Sequence, residues 1–260
     1  MLPLAKLPLA ALGLGTARGI GMLQILPLSN RLGLRGMHRT AVAVALAMLT
    51  LPLLMRQLTP ADLGQGRLLL LTVKEALVGV VLGTLFAVPF WSAEAAGEMI
   101  DNQRGSRSAI VPDAASEEEG GLTATLLVLT LATIFFASGG MHWLIDALAA
   151  SYRFWPANDA LPSFAPDALT GPLELLDRIF RAGLLLASPL LIVMVLSELA
   201  LALVSRFAPQ LNVFDLAMSM KGLIYVLALP VYAIFLIGYF GHGMGDLLHI
   251  ADEFRSWSGR

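Results

Sequence analysis

Long apolar runs alternate with short polar interruptions along the whole chain. Three charge-free runs, 76–93, 120–145 and 222–245, reach the roughly 17–25 residues that a membrane-spanning helix needs. Two shorter runs, 40–55 and 182–197, become spans if extended at their ends. Residues 7–28 are apolar apart from Arg18 and Gln24. The pattern predicts about six hydrophobic segments, the longer ones open to being broken in two. Lipid admits only helices and closed barrels, and runs this long without strict alternation are helices. The predicted class is therefore all-α and membrane-associated.

Composition sharpens this reading. The chain has 260 residues, is 57% hydrophobic and only 14% charged. Soluble domains run about 45–50% apolar and about 25% charged, so lipid or a hydrophobic partner must cover part of the surface. A net charge of −2 gives no electrostatic case for nucleic acid. There are no cysteines, which excludes disulfides, thiolate chemistry and Cys-based zinc sites. His38, His142, His242 and His249 never form the helical pair that a metal site needs, so no metal or cofactor is expected. The N-terminus faintly resembles a signal peptide, but Arg18 stands where a small-residue cleavage site belongs. It reads as a retained membrane segment.

Glycine and proline lie inside the apolar runs, at Pro27, Pro52, Pro89, Pro189, Pro230 and the series Gly238 to Gly245. Proline kinks helices, and small residues let them approach closely. Ordinary membrane helices share this composition. Lys and Arg do not separate between alternate loops, as expected of a chain not threaded through the bilayer as a simple zigzag. Residues 151–174, with four prolines, read as an ordered non-helical connector.

A few charges interrupt the apolar sequence. Lys74, Glu94, Glu98 and Asp146 lie near segment ends, where snorkelling to the interface explains them. Glu198 and Lys221 have apolar sequence on both sides and make a candidate interhelical ion pair or an ion-transport site. No nucleophile elbow, phosphate loop or zinc-protease motif occurs, so no catalytic residue is expected.

The most polar interruption is EMIDNQRGSRSAIVPDAASEEEGG, residues 98–121, with eight of the thirty-six charges. It opens the stretch that runs through FASGG to SYRFWP, and a second stretch reads SELALALVSRFAPQLNVFDLAMSMKG. In order and spacing these resemble the SctT family of type III secretion systems (YscT, SpaR, HrcT), whose flagellar counterpart is FliR. The Lys221 context is more like the virulence-associated branch. The resemblance covers essentially the whole chain, as one domain over 1–260.

The resemblance implies a fold of kinked helical hairpins, like a fusion of SctR-like and SctS-like subunits. It implies one copy of this chain closing an SctR–SctS–SctT pore in the bacterial inner membrane, inside the secretion basal body. Unfolded substrate proteins would pass this pore. SctU-like and SctV-like components and the inner rod would be neighbours, with export energy supplied by other components. By position, Gln103, Arg104, Gly105, Ser106, Arg107, Pro112 and Asp113 would form a pore plug. A solvated loop is the plainer reading of the same residues. Gly139, Gly140, Glu198, Arg206, Pro209, Gln210, Asn212, Phe214 and Lys221 would serve helix packing and subunit docking. The competing function is a secondary transporter using Glu198 and Lys221 as a proton or ion site, although no repeated halves are found.

Overall fold

Eight α-helices carry the chain in the computed structural model, which describes residues 2–105, 121–159, 171–207 and 213–248. They are α1 (Leu2–Ile25), α2 (Pro27–Arg31), α3 (Met37–Gln57), α4 (Gln65–Arg104), α5 (Leu122–Ala137), α6 (Gly140–Phe154), α7 (Gly171–Ser205) and α8 (Val213–Leu248). A 3-10 turn, Pro60–Leu63, precedes α4 and is closed by a Thr59–Asp62 capping box. No strand occurs among the described residues. The protein is an all-α membrane protein.

Four helices are long and apolar enough to cross a bilayer: α3, α4 and the apolar portions of α7 and α8. The bent pair α5–α6 makes a fifth if it counts as one span. The N-terminal segment is not among them, contrary to expectation. Lys6, Arg18, Gln24 and four glycines dilute its hydropathy. The 40 residues of α4 amount to about 60 Å of helix at about 1.5 Å per residue, twice the hydrocarbon thickness. A helix of that length extends well beyond the bilayer core.

Pro52, Pro89, Pro189 and Pro230 lie inside helices, as does Pro8. Pro27 instead starts α2, where its missing N–H costs nothing. The expected non-helical connector at 151–174 is shorter than predicted. α6 runs on to Phe154 and α7 begins at Gly171, because proline is tolerated in a first turn and Pro156 lies beyond the end of α6.

The chain divides into two compact units. The first comprises Met1–Val88, Phe135–Leu176 and Met244–Arg260. Its seams are built from small residues. A Cβ on Gly15 would lie 3.0 Å from Ala47 Cβ, and one on Gly19 would lie 3.3 Å from Ala43, which brings α1 and α3 close. On another side of α1, Gly79 and Gly83 of α4 meet the backbone of Arg18 and Met22, and Gly21 meets Ala76. A Cβ on Gly79 would sit 2.0 Å from the Arg18 carbonyl oxygen, so these backbones touch as small-xxx-small pairs do in membranes.

The second unit comprises Pro89–Ile134 and Asp177–Gly243. Gly97 of α4 lies against the Ala124 backbone of α5, and Gly183 of α7 against the Ser92 carbonyl. The Tyr232 hydroxyl of α8 donates to the Leu186 carbonyl of α7 at 2.9 Å. Only 22% of the apolar window is buried in each of α7 and α8, against 44% in α4. Leu196, Leu199, Leu203, Val226 and Leu227 are exposed, leaving both helices with faces for lipid or protein.

Candidate functional site at the root of the polar stretch

The polar interruption begins at the end of α4 and returns at the start of α5, and both ends lie in the second unit. An α-helix leaves its first N–H groups unpaired, and its N-terminus carries partial positive charge. Two carboxylates from α4 meet that need at α5. Glu98 Oε1 accepts from the Gly121 N–H at 2.9 Å. Asp101, fully buried, accepts from the Thr123 N–H at 2.8 Å and from its hydroxyl at 2.6 Å. Glu98 therefore caps a neighbouring helix. Its carboxylate is accommodated by a donor at the start of α5 rather than by snorkelling.

Arg104 continues the arrangement. Its Nη2 lies 3.0 Å from Asp101 Oδ1, and its guanidinium sits 4.5 Å from the ring centroid of Tyr225 in α8. The Tyr225 hydroxyl lies 3.1 Å from Thr123 Oγ1. Thr123 spends its own hydrogen on Asp101, so Tyr225 is the donor there. One α8 side chain thus touches both ends of the interruption. Gly105 then leaves the helix with φ +78, a left-handed conformation that favours glycine. Its α face borders the Met218 side chain.

Gln103 joins a second group. Its Nε2 donates to Glu198 Oε2 at 3.3 Å, and Lys221 Nζ lies 2.8 Å from the same oxygen. Glu198 and Lys221 do pair across α7 and α8, as their isolation in apolar sequence suggested. Lys221 is largely buried, whereas the Glu198 side chain is half exposed. Met218, Lys221 and Tyr225 share one face of α8 by their spacing; Met218 and Tyr225 border Gly105 and Arg104 at the end of α4, and Lys221 shares the Glu198 carboxylate with Gln103.

Ser106, Arg107, Pro112 and Asp113 lie outside the described residues, as do Pro209, Gln210 and Asn212. Phe214 lies in α8. Arg206 is exposed in the turn after α7, its N–H bonded to the Leu203 carbonyl. Gly139 and Gly140 belong to the first unit. Gly139 has φ +82 and opens α6, and a Cβ on Gly140 would fall 2.3 Å from the Phe135 ring. Among the described residues, no group of three or more His, Asp or Glu is placed to hold a metal.

The first unit holds a polar cluster that the sequence pattern does not reveal. Arg18 of α1 and Glu75 of α4, both fully buried, pair in bidentate fashion at 2.6 and 2.9 Å. Arg18 also donates to Ser151 Oγ at 2.6 Å and the Trp155 carbonyl at 3.0 Å, with its guanidinium 3.7 Å from the Tyr152 ring centroid. Lys74 donates to Glu75 at 2.6 Å and to the Pro156 carbonyl at 2.8 Å. Gln57 of α3 donates to the Tyr152 carbonyl and accepts from the Ala157 N–H. Lys74 is thus 5% exposed and does not snorkel. Three helices, α1, α3 and α4, converge on the SYRFWP turn to satisfy its backbone. The only sequence signal was a charge inside an apolar run, at Arg18 and at Lys74–Glu75, with nothing to say that they meet.

The chain matches the family "Bacterial export proteins, family 1" over residues 9–247. It is 34% identical over 242 residues to Yop proteins translocation protein T of Yersinia pestis, covering 93% of this chain and 92% of that protein. It is 34% identical over 224 residues to surface presentation of antigens protein SpaR of Salmonella typhimurium, covering 86% and 82%. Flagellar biosynthetic protein FliR of Escherichia coli is 34% identical over 145 residues, about half of each chain. The matched residues include both capped ends of the polar stretch and the Arg18–Glu75 cluster, and the chain belongs to bacterial export proteins family 1, the SctT/FliR family of protein-export components.

Proposed function

We propose that this protein is a non-catalytic subunit of a type III secretion export gate, in which the polar stretch after α4 plugs the closed pore. One copy would close a ring of SctR-like and SctS-like subunits in the bacterial inner membrane, with SctU-like and SctV-like components and the inner rod as neighbours. Unfolded substrate proteins would pass through it. The observation that carries this reading is the sharply polar excursion from two apolar helices, rooted on Glu98 and the buried Asp101. A plug must be soluble when exposed and held at its base, and this stretch meets both requirements. The helix lengths support a chain that extends beyond the bilayer core.

The sparsely buried α7 and α8 faces suit protein neighbours as well as lipid. The Glu198–Lys221 pair favours a structural role for those charges, because each neutralises the other at 2.8 Å. Co-expression with SctR-like and SctS-like proteins, followed by native mass spectrometry of the detergent-extracted complex, tests the assembly. One copy of this chain with several of each partner is expected, and a lone monomer or homodimer beside unbound partners overturns the reading. Deleting 103–115 should make the closed gate leak ions or small molecules. A gate that stays tight after the deletion removes the plug assignment.

A further inference from the structure

We infer that an apolar groove in the first unit, with Arg39 at its rim, binds one anionic glycerophospholipid, an acyl chain lying between its walls and the phosphate at the arginine. The site belongs to the first unit alone and stands independently of the gate reading.

Three parts of the chain build the walls. Leu23 and Leu34 flank the connection from α1 to α3, Val42 and Leu46 lie in α3, and Phe136 and Met141 lie at the α5–α6 bend. Ser29 also lines the groove, but its hydroxyl is turned back on the chain, 2.6 Å from the Leu23 carbonyl and 2.9 Å from that of Leu26. The groove therefore offers an occupant hydrocarbon, which water serves poorly. Leu32, Phe136 and Met141 are exposed, so it is open to an apolar chain.

The rim has the opposite character. Arg39, Val42 and Leu46 recur at i, i+3 and i+7 and share one face of α3, which puts Arg39 one turn before the apolar stripe. Its guanidinium donates to the Leu34 carbonyl at 3.1 Å, to Asn30 Oδ1 at 2.6 Å and to Gln24 Oε1. Leu34 lines the groove, and Asn30 and Gln24 adjoin the lining residues Ser29 and Leu23. All three acceptors are neutral, so they orient the guanidinium and leave its charge intact. Two of its five N–H groups remain for a phosphate. The segments that line the groove, 23–46 and 135–144, contain three arginines and no acidic residue.

These features select the occupant. An apolar side chain from a partner protein would fill the groove without any use for a cation at its rim, whereas an anionic lipid supplies both halves. α3 is long and apolar enough to cross a bilayer, and Arg39 lies in its first turn, where a span meets the headgroups.

The full chain, extracted in detergent and stripped of lipid, is titrated with phosphatidylglycerol or phosphatidylcholine, and bound lipid is counted by native mass spectrometry. The parent should hold one phosphatidylglycerol and prefer it about tenfold or more over phosphatidylcholine. Arg39→Gln should erase that preference, and Arg39→Lys, which keeps the charge, should retain it. Val42→Phe fills the groove and should lose both lipids; it keeps the test open should Arg39→Gln fail to fold. Equal binding of the two lipids by the parent overturns the inference, as does phosphatidylglycerol binding undiminished by Val42→Phe. Equal loss in Arg39→Gln and Arg39→Lys would trace the effect to the loop bonds of Arg39 and would overturn it too. A parent chain that binds neither lipid leaves the groove to a protein side chain.

Discussion

Arg18 and Glu75 meet with Nε 2.6 Å from Oε2, both side chains inaccessible to solvent and 57 residues apart in sequence. Removing one partner of such a pair leaves a buried charge unmatched and costs about 3–5 kcal/mol. Glu75→Gln strands both Arg18 and Lys74. It should lower the thermal midpoint of the detergent-extracted protein sharply and reduce its yield. The triple variant R18M/K74M/E75L should recover only part of the loss, because the Trp155 and Pro156 carbonyls then lack their donors. A Glu75→Gln protein as stable as the parent would show that the cluster is dispensable.

Backbone-to-backbone contact at Gly79 leaves no space for a methyl group. Gly79→Ala should destabilise by about 1–3 kcal/mol or more, since α1 and α4 must separate. Gly222 of α8 has nothing within 4 Å of an added Cβ, so Gly222→Ala should be neutral or stabilise by about 0.5–1 kcal/mol. Paired thermal unfolding of the two variants checks this. Equal effects would mean that helix propensity, and not interhelical approach, governs both sites.

Glu198→Ala should weaken assembly with partner subunits without shifting the pH dependence of export. The Glu198 carboxylate is half exposed and water can replace it beside Lys221, so the isolated chain should lose no more than about 1 kcal/mol. The exchange E198K/K221E restores the pair and should restore assembly. The opposite result, a shifted pH profile with assembly intact, would favour a proton-carrying role. Co-purification and an export assay across pH separate the two.

Gly140→Leu should disrupt the first unit, because even a Cβ lies 2.3 Å from the buried Phe135 ring. At Gly139 the space is open but φ is +82, so Gly139→Asn should be tolerated better than Gly139→Val. Yield of folded protein in detergent ranks the three, and a Gly139→Val protein that equals Gly139→Asn would show that the turn can be rebuilt.

The helical class, the apolar spans, the polar interruption and the family resemblance were all legible in sequence, because hydropathy and motif order are local properties of the chain. The Glu198–Lys221 pair was legible too, since two isolated opposite charges in apolar sequence have few other ways to be accommodated. The long proline-bearing helices were partly legible, and their boundaries were not. Pro156 and Gly171 bracket a connector shorter than composition suggested.

What the residue pattern left open was which distant groups would meet. Lys74 and Glu98 sit at segment ends, where snorkelling is the cheap local solution. Tertiary structure decided otherwise, because Arg18 with the SYRFWP turn waited for Lys74 and Glu75, and the N-terminus of α5 waited for Glu98 and Asp101. A buried charge takes whatever partner the packing of other helices brings within hydrogen-bond reach. Packing here depends on glycine seams such as Gly79–Gly83, whose close approach shows only once both backbones are placed.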